Sequence, residues 1–461
     1  MTLIKSISGI RGTIGGQVGE NLTPIDAVKF AAAYGTWLKA QRDKENYKVV
    51  VGRDARISGE MIQNLVMNTL VGLGIHVVDV GLSTTPTVEI AVPMEHADGG
   101  IILTASHNPK QWNALKLLNA KGEFLNGVEG EKILNIAEAD TMQFAEVDHL
   151  GKITRNQAYI DLHIDAVLAL DLVNVKAIKD AKLKVVVDGV NSTGGIAIPE
   201  LLERLGVHPV KLYCEPNGHF PHNPEPLKEH LTDLSEMVVK ERADFGLVVD
   251  PDVDRLAFMD ENGEMFGEEY TLVACADYVL SKTPGNTVSN MSSSRALRDV
   301  TEKHGGTYEA SAVGEVNVVE LMKKNNAVIG GEGNGGIIYP ASHYGRDSLV
   351  GVALFLSLLA EKDMPVSELR KTYTSYFMSK KKIQLTPQID VDAILKTMEA
   401  RYAKENITTV DGVKIDFAEN WVHLRKSNTE PIIRIYTEAK SQEVADALAD
   451  RFIGEIEAVS K

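Results

Sequence analysis

The hexapeptide at residues 104–109, Thr-Ala-Ser-His-Asn-Pro, brings a hydroxyl, an imidazole and an amide into one turn. It follows an apolar run that predicts a buried strand over residues 100–103, so Ser106 is expected at a strand end, where it can meet a ligand. With His107 beside it and Lys116 a short step downstream, this serine fits a nucleophile or phosphate carrier with its own proton-handling groups. The same residues also fit an ordinary polar turn, and only the other loops of the chain decide between the two interpretations.

Residues 250–255, Asp-Pro-Asp-Val-Asp-Arg, form a second loop that can do chemistry, directly after a predicted strand over residues 245–249. Its carboxylates at Asp250, Asp252 and Asp254 alternate, which predicts a site for a divalent cation with oxygen ligands. Mg²⁺ is the best fit because it takes few carboxylates together with a phosphate oxygen. A solvated acidic loop is the alternative.

An EF-hand is the strongest rival for this loop, because Glu261 falls at the twelfth position of that motif. Arg255, however, stands at the sixth position, where the EF-hand turn requires glycine. A strand is predicted before the loop where the EF-hand has a helix. The sequence therefore favours a different kind of metal site.

Residues 330–336, Gly-Gly-Glu-Gly-Asn-Gly-Gly, form a third loop. It contains a Gly-x-Gly-x-x-Gly match, but extended chain, Ile-Ile-Tyr-Pro, follows it, and the helix that dinucleotide binding requires is missing. The glycines instead let the backbone approach a ligand while Glu332 and Asn334 point at it. We expect these two side chains to pair with sugar hydroxyls.

A fourth loop lies at residues 425–434, Arg-Lys-Ser-Asn-Thr-Glu-Pro-Ile-Ile-Arg. Hydroxyls, an amide and two guanidiniums within ten residues predict a phosphate cradle, since arginine makes bidentate contacts with phosphate. Basic residues on a sheet edge are the alternative. Arg11, flanked by glycines near the start of the chain, is a further candidate cation.

The elements that must hold these loops alternate between strand and helix up to about residue 380, which predicts parallel or mixed sheets covered on both faces. Beyond that point the pattern predicts a small domain with an antiparallel sheet, because a helix is followed by strands around the turn Asp411-Gly412 and by a closing helix. The fold class is therefore α/β, with three similar mixed-sheet α/β domains plus a smaller C-terminal α+β domain. The expected domains are residues 1–155, 156–262, 263–375 and 376–461. Strands are predicted over residues 47–51, 75–80, 183–187, 287–291 and 327–330, and helices over residues 198–205, 227–242, 270–281, 294–304, 316–325, 391–404 and 442–459.

The composition, with 44% hydrophobic and 24% charged residues, is that of an ordinary globular protein, and a chain of 461 residues predicts about three domains. The net charge of −16 argues against nucleic acid as a partner and requires a local cluster of arginines or amides to meet any anionic ligand. Two cysteines, no long apolar run and no secretory signal predict a cytoplasmic protein that has no membrane partner.

In the order and spacing of its four loops, the chain resembles the α-D-phosphohexomutase family, which includes phosphoglucomutases, phosphomannomutases and phosphoglucosamine mutases. The resemblance covers essentially the whole chain and implies four domains around a central cleft. It implies that Ser106 is the phosphoserine and that one of its oxygens joins the three aspartates in binding Mg²⁺. The other implied roles are proton transfer and charge stabilisation for Arg11, His107 and Lys116, substrate binding for Arg255, sugar recognition for Glu332 and Asn334, and binding of the non-reacting phosphate for Arg425, Ser427, Asn428, Thr429 and Arg434.

Three positions depart from the commoner pattern of that family. Pro251 and Ala114 stand where glycine is frequent, and neither change affects the expected chemistry. Asn334 replaces a serine that usually follows the glutamate by two residues, and this change bears on sugar preference.

The activity implied is that of a phosphosugar mutase acting on a small phosphorylated sugar. Phosphorylated Ser106 donates its phosphoryl group to a hexose monophosphate, the bisphosphorylated intermediate turns over, and the other phosphate returns to the serine. Hexose 1,6-bisphosphate is accordingly the expected activator. The preferred pair is glucosamine 6-phosphate and glucosamine 1-phosphate, because Glu332 can bind the 2-ammonium group; mannose or glucose phosphates are the alternative. A sugar-phosphate phosphatase and a non-catalytic sugar-phosphate-binding protein are the other two hypotheses.

Overall fold

The structure, a computed structural model, describes residues 2–6, 9–384, 390–426 and 432–459. These residues form four domains, each built on its own sheet. The first three are mixed α/β domains and the fourth is α+β, which confirms the predicted fold class. Within the described residues, no helix combines the length and apolarity that crossing a membrane requires.

Domain I contains a seven-stranded mixed sheet. Its elements are β1 (Ile4–Ser6), β2 (Gly9–Thr13), α1 (Pro24–Gln41), β3 (Tyr47–Arg53), α2 (Gly59–Gly72), β4 (Ile75–Leu82), α3 (Thr85–Met94), β5 (Gly99–Leu103), β6 (Trp112–Leu118), α4 (Gly127–Ala139) and β7 (Ile153–Arg155). The strand order is β1-β2-β6-β5-β3-β4-β7. Strands β5, β3, β4 and β7 run parallel, β6 is antiparallel to β5, and β2 and β1 extend the sheet beyond β6 by antiparallel pairing.

Domains II and III each contain a four-stranded sheet. Domain II consists of α5 (Tyr159–Leu168), α6 (Val175–Ala181), β8 (Lys184–Asp188), α7 (Gly194–Arg204), β9 (His208–Leu212), α8 (Thr232–Glu241), β10 (Phe245–Val249) and β11 (Leu256–Met259). Domain III consists of α9 (Glu268–Lys282), β12 (Asn286–Asn290), α10 (Ala296–Lys303), β13 (Tyr308–Ser311), α11 (Glu315–Asn325), β14 (Ala327–Glu332), β15 (Gly336–Ile338), α12 (Ser348–Lys362) and α13 (Val366–Lys371).

One strand pattern recurs in the first three domains. The orders β6-β5-β3-β4, β11-β10-β8-β9 and β15-β14-β12-β13 are equivalent: an antiparallel strand, then three parallel strands. In each domain, the chain turns from the second strand of this order back into the antiparallel strand. The Ser106 turn, the aspartate loop and the glycine-rich loop occupy this same position, so one architecture presents all three loops.

Domain IV is an antiparallel sheet with two helices. It consists of β16 (Phe377–Gln384), α14 (Val391–Arg401), β17 (Asn406–Thr408), β18 (Val413–Asp416), β19 (Trp421–Lys426), β20 (Ile432–Ala439) and α15 (Gln442–Val459). The strand order is β16-β20-β19-β18-β17, and every pair is antiparallel. Ser427, Asn428 and Thr429, predicted to bind phosphate, lie outside the described residues, between β19 and β20.

Local sequence signals account for most of these elements. The side chain of Thr23 accepts from the amide of Asp26, whose carboxylate accepts from the amide of Thr23, and Pro24 opens α1 behind this capping box. Strand β6 and helix α12 are among the elements that the sequence analysis did not predict. Strand β6 follows the polar Ser106 turn without a clear alternating pattern, and the apolar residues of α12 surround the helix, so no amphipathic period marks it.

Domains II and III share one hydrophobic core. Phe258 of β11 stacks on Phe355 of α12, with ring centroids 3.8 Å apart, and Phe266 packs edge-on against the latter at 5.5 Å. Helix α12 also contacts α5 and α6, so the helix of domain III covers domain II as well. The aspartate loop and the glycine-rich loop are therefore carried on one packed body.

Candidate active site

The turn that carries Ser106 has an unusual backbone conformation, with φ of +50° at this serine. The amide of Ser106 donates to Oγ1 of Thr104 (2.9 Å), which itself donates to Oδ2 of Asp54 (2.7 Å). The hydroxyl of Ser106 donates to Oδ2 of Asp250 in domain II (2.7 Å). Nδ1 of His107 lies 3.4 Å from the same hydroxyl. The turn therefore presents the serine oxygen to the aspartate loop of the next domain.

Arg56, which the sequence analysis missed, clamps the backbone of this turn. It is buried, and its Nε pairs with Oδ2 of Asp54 (3.0 Å). Its terminal nitrogens donate to the carbonyl oxygens of Ser106, Asn108, Pro109 and Trp112. Only the planar fork of arginine can span such a set of acceptors. The sequence signal for Arg56 was the charged segment Gly-Arg-Asp-Ala-Arg at the end of a buried strand. Burying a charged group costs free energy unless hydrogen-bond or ion-pair partners compensate for it.

The three aspartates of the second loop are fully buried between β10 and β11. One carboxylate oxygen from each lies within 4.8 Å of the other two. Among the described residues, Oδ1 of Asp252 and Oδ1 of Asp254 accept no hydrogen bond, and buried carboxylate oxygens need a partner. Converging oxygen donors fit a hard divalent cation such as Mg²⁺. The strands on either side of the loop also exclude the EF-hand alternative.

Backbone contacts from two other domains fix the position of the aspartate loop. In domain I, the amide of Thr85 donates to the carbonyl of Asp252 (2.9 Å), and its hydroxyl donates to Oδ2 of the same residue (2.6 Å). In domain III, the amide of Ser348 donates to the carbonyl of Val253 (3.2 Å). Three domains therefore meet at the predicted metal ligands.

Lys116, on β6, reaches the same carboxylates. Its Nζ lies 2.6 Å from Oδ2 of Asp252 and 3.3 Å from Oδ2 of Asp254. Burial lowers the pKa of Lys116, but the two carboxylates outweigh it and hold the pKa above its usual range. Burial and the carboxylates of Asp252 and Asp254 raise the pKa of Asp250 well above its usual range. Lys116 is thus held as a cation in the same carboxylate cluster as Asp250, which accepts from the Ser106 hydroxyl.

Arg346 is a second buried arginine to which the sequence analysis assigned no role. Each of its three nitrogens meets a different carboxylate: Nη2 meets Asp254 (2.8 Å), Nε meets Glu315 (3.0 Å) and Nη1 meets Glu332 (3.0 Å). All four side chains are less than one-tenth exposed. One guanidinium therefore connects the aspartate loop of domain II with the glycine-rich loop of domain III.

The glycine-rich loop is the turn of the β14–β15 hairpin, so no helix follows it and the dinucleotide alternative fails. Oε1 of Glu332 accepts from Nδ2 of Asn290 (2.9 Å) and from the amide of Gly314 (3.2 Å). Oδ1 of Asn334 accepts from the amide of Gly336 (3.3 Å). Glu332 is thereby fixed in orientation with part of its acceptor capacity unused.

Further cations converge on the Ser106 turn. Nη1 of Arg11 donates to Oδ1 of Asn108 (3.3 Å). The backbone amide of Arg255 donates to Oδ1 of Asp250 (3.1 Å), and its guanidinium Nη1 pairs with Oε1 of Glu225 (3.3 Å). Burial, followed by the charges of Arg255 and Arg11, lowers the pKa of His107 well below its usual range, so this imidazole is neutral. The cluster meets the requirement that an acidic protein concentrate positive charge wherever it binds an anion.

Arg425 and Arg434 lie directly opposite each other on β19 and β20. Like charges in facing positions of an antiparallel pair repel. Nη1 of Arg434 donates to the hydroxyl of Tyr436 (3.3 Å), and Nε of Arg425 lies 3.4 Å from Oδ2 of Asp411. Two guanidiniums that face each other can together contact a multiply charged anion.

Four family models match the chain in consecutive segments. They are described as phosphoglucomutase/phosphomannomutase α/β/α domain I (residues 3–144), domain II (161–263) and domain III (267–376), and the C-terminal domain (381–455). The chain belongs to the phosphoglucomutase/phosphomannomutase family. It is a phosphohexomutase, an isomerase that shifts a phosphoryl group within a hexose phosphate.

Relatives of this phosphohexomutase carry more than one sugar in their names. A phosphoglucomutase/phosphomannomutase of Thermococcus kodakarensis is 37% identical over 440 residues, which cover 94% of this chain and 95% of the relative. A phosphoglucosamine/phosphogalactosamine mutase of Sulfurisphaera tokodaii is 31% identical over 453 residues, 96% of each. These identities and coverages agree with the family assignment. The relatives' names differ in the sugar, so they do not identify the preferred substrate of this enzyme.

Solved structures share the fold of this phosphohexomutase. A phosphoglucomutase/phosphomannomutase family protein from Burkholderia thailandensis superposes with a TM-score of 0.84 at 24% identity, covering 99% of this chain and 98% of that one. An N-acetylphosphoglucosamine mutase of Aspergillus fumigatus, solved with GlcNAc-6P and magnesium, has a TM-score of 0.57 at 15% identity, with 93% and 96% covered. At these identities the likeness concerns the fold.

Proposed function

We propose that the enzyme interconverts hexose 6-phosphate and hexose 1-phosphate through a phosphorylated Ser106 and a bisphosphorylated intermediate. The observation that carries this proposal is the contact of the Ser106 hydroxyl with Asp250, in a site that also holds Lys116 and Arg346. A serine between a buried carboxylate cluster and buried cations suits a reversible phosphate carrier. The four domains would be residues 1–155, 156–262, 263–375 and 376–461.

The residues that would hold Mg²⁺ are Asp250, Asp252 and Asp254, together with an oxygen of phosphorylated Ser106. Their support is the set of converging oxygens and the two carboxylate atoms that lack another partner among the described residues. When bound, the ion would neutralise negative charge on the transferring phosphoryl group.

In the transfer step, a hydroxyl oxygen of the sugar forms a bond to phosphorus as the bond from phosphorus to Oγ of Ser106 breaks. The hydroxyl proton must leave the sugar, and Oγ of Ser106 must gain a proton as its bond to phosphorus breaks. His107, whose Nδ1 lies 3.4 Å from Oγ, is positioned to deliver that proton to the serine. Lys116, held as a cation by two carboxylates, is better suited to stabilising charge than to accepting a proton. After the intermediate turns over, the reverse step returns the other phosphate to Ser106. Arg11 and Arg255 supply further positive charge.

The non-reacting phosphate would be bound by Arg425 and Arg434, with Ser427, Asn428 and Thr429 of the same hairpin. The facing guanidiniums support this assignment, because a bound dianion relieves their repulsion. One such site would serve both half-reactions, since the intermediate presents either phosphate in turn.

For the sugar we propose glucosamine phosphate, recognised by Glu332 and Asn334. Glu332, Glu315 and Asp254 share the guanidinium of Arg346, and Lys116 also meets Asp254, so carboxylates still outnumber cations around the sugar loop. An excess of negative charge favours a substrate with an ammonium group over a neutral hexose. Hexose 1,6-bisphosphate would act as the activator.

The test is Ser106→Ala, with mutase turnover and free phosphate measured together. We expect isomerisation of glucosamine 6-phosphate, with glucosamine 1,6-bisphosphate as activator, to fall by more than about a thousandfold. Full activity in this variant would reject the phosphoserine role. Phosphate released in step with substrate loss by the wild-type enzyme would identify a phosphatase instead.

A further inference from the structure

The phosphate-binding hairpin and the sugar-recognition loop belong to different domains, but a turn of domain III connects them. The amide of Val313 donates to Oδ2 of Asp411 in domain IV (3.0 Å). The next amide, of Gly314, donates to Oε1 of Glu332 (3.2 Å). Two neighbouring peptide groups thus hold one carboxylate from the phosphate domain and one from the sugar loop.

A second turn of domain III makes the same connection. Nδ2 of Asn290 donates to Oε1 of Glu332 (2.9 Å), and two residues later Oγ of Ser292 lies 2.9 Å from Nδ1 of His423. Nε2 of His423 donates to the carbonyl of Asp411 (2.6 Å). A carbonyl can only accept, so the ring proton is on Nε2, and Nδ1 of the neutral ring accepts from Ser292. Each of the two turns of domain III therefore links Glu332 to Asp411 through hydrogen bonds.

Asp411 in turn contacts Arg425. Its Oδ2 lies 3.4 Å from Nε of that arginine, an ion pair without hydrogen-bond geometry. The following glycine packs the turn against β19. A Cβ at Gly412 would lie 2.1 Å from the carbonyl oxygen of Leu424 and 2.9 Å from Cα of Arg425, at a φ of +74°. The ion pair uses the inner nitrogen of the guanidinium, whereas bidentate phosphate binding can use the two terminal ones.

We propose that Asp411 is a positioning residue for substrate binding: it orients Arg425 and, through Val313 and Gly314, sets the distance from this arginine to Glu332. A hexose phosphate spans only a limited range of distances between its phosphate and its ring substituents, so tight binding requires recognition groups at a matching spacing. The inference rests on the proposed function, because it takes Arg425 as a ligand of the non-reacting phosphate.

The test compares two carboxylates of the same domain interface. Asp411→Asn keeps the shape of the side chain and an acceptor for Val313 but removes the charge that faces Arg425. The matched control is Asp416→Asn, since Asp416 pairs across the interface with Nη2 of Arg295 (3.3 Å) and belongs to neither recognition loop. KM, kcat and competitive inhibition by inorganic phosphate are measured for both variants with glucosamine 6-phosphate and its 1,6-bisphosphate as activator.

We expect Asp411→Asn to raise KM and the inhibition constant for inorganic phosphate about tenfold while kcat stays within about twofold, the signature of lost uniform binding. The control should change each value by less than about twofold. An equal rise in KM for both variants, or a fall in kcat with KM unchanged, overturns the proposal. If Asp411→Asn does not fold, Asp411→Glu, which displaces the charge by one methylene, must raise KM in its place.

Arg425→Ala separates this inference from the proposed function. If this variant raises KM but Asp411→Asn does not, only the role of Asp411 fails. If Arg425→Ala leaves KM unchanged, the phosphate site itself is misplaced and both fail. In the double variant, Asp411→Asn should add less than about twofold to the effect of Arg425→Ala, because the two residues act as a unit.

Discussion

The hydroxyl of Ser106 donates a 2.7 Å hydrogen bond to Asp250, although the two residues are 144 positions apart in the chain. The contact joins the hairpin turns of domains I and II, which occupy equivalent positions in their sheets. A phosphoryl group on this serine would lie beside the aspartate loop. The serine and the predicted metal ligands thus form one site.

Removal of the metal should stop turnover and lower stability together. We expect EDTA to reduce mutase activity at least about a hundredfold and Mg²⁺ to restore it. The reason is that the bound ion would neutralise negative charge on the transferring phosphoryl group. Saturating Mg²⁺ at about 100 times its Kd should stabilise the folded state by about 2.7 kcal/mol. Calorimetry with and without Mg²⁺ checks this, and an equal shift in Asp252→Ala would contradict the assigned site.

Arg346→Met should be strongly destabilising. The variant leaves Asp254, Glu315 and Glu332 buried without their shared cation, and breaking a buried ion pair in this way costs about 3–5 kcal/mol. The control is Lys282→Met, which removes a half-exposed pair with Glu361 worth about 0–1 kcal/mol. Urea unfolding of both variants provides the measurement, and a similar free energy of unfolding for the two would refute the prediction.

Glu332→Gln should change substrate preference rather than abolish activity. The amide removes the charge that favours an ammonium group, and a hydrogen bond to a charged partner contributes about 1.5–3 kcal/mol. We therefore expect kcat/KM for glucosamine 6-phosphate to fall about tenfold to a hundredfold relative to glucose 6-phosphate. Steady-state rates on both sugars, each with its matching bisphosphate, decide the point, and a parallel loss on the two would exclude ammonium recognition by this residue.

His423 should make domain IV sensitive to acid. Burial, then the charges of Lys414 and Arg425, lowers the pKa of His423 to about 4 against an ordinary value of 6.5. The neutral ring contributes stability that is fully present above pH 6.5 and is lost as the pH falls towards 4, by up to about 3 kcal/mol.

His423→Gln provides the control for this pH dependence, because its amide can donate to Asp411 and accept from Ser292 but does not titrate in this range. Urea unfolding at pH 7.5, 6.5 and 5, followed by tryptophan fluorescence, compares it with the wild type. The wild-type protein should lose more stability than the variant between pH 6.5 and 5. Identical pH profiles would assign the acid sensitivity to other groups.

The order of strands and helices could be predicted because hydrophobic period and capping signals are local. The strand before the aspartate loop, Phe245–Val249, and the last helix, Gln442–Val459, have the predicted bounds. The predicted helix over residues 198–205 instead begins at Gly194, since glycines conceal a helix start that burial stabilises. Helix α12 was missed because it is buried on all sides and has no polar face to give it a period.

The sequence by itself determined which chemical groups the enzyme has: a serine in a polar turn, alternating aspartates, a glycine-rich loop and a basic hairpin. Only the tertiary structure decided how they are arranged. Arg56 and Arg346 are unremarkable in the sequence, but each is buried among acceptors that distant segments supply. The reason is physical: residue type and local period fix an element, whereas the partner of a buried charge depends on which loops the sheets bring together.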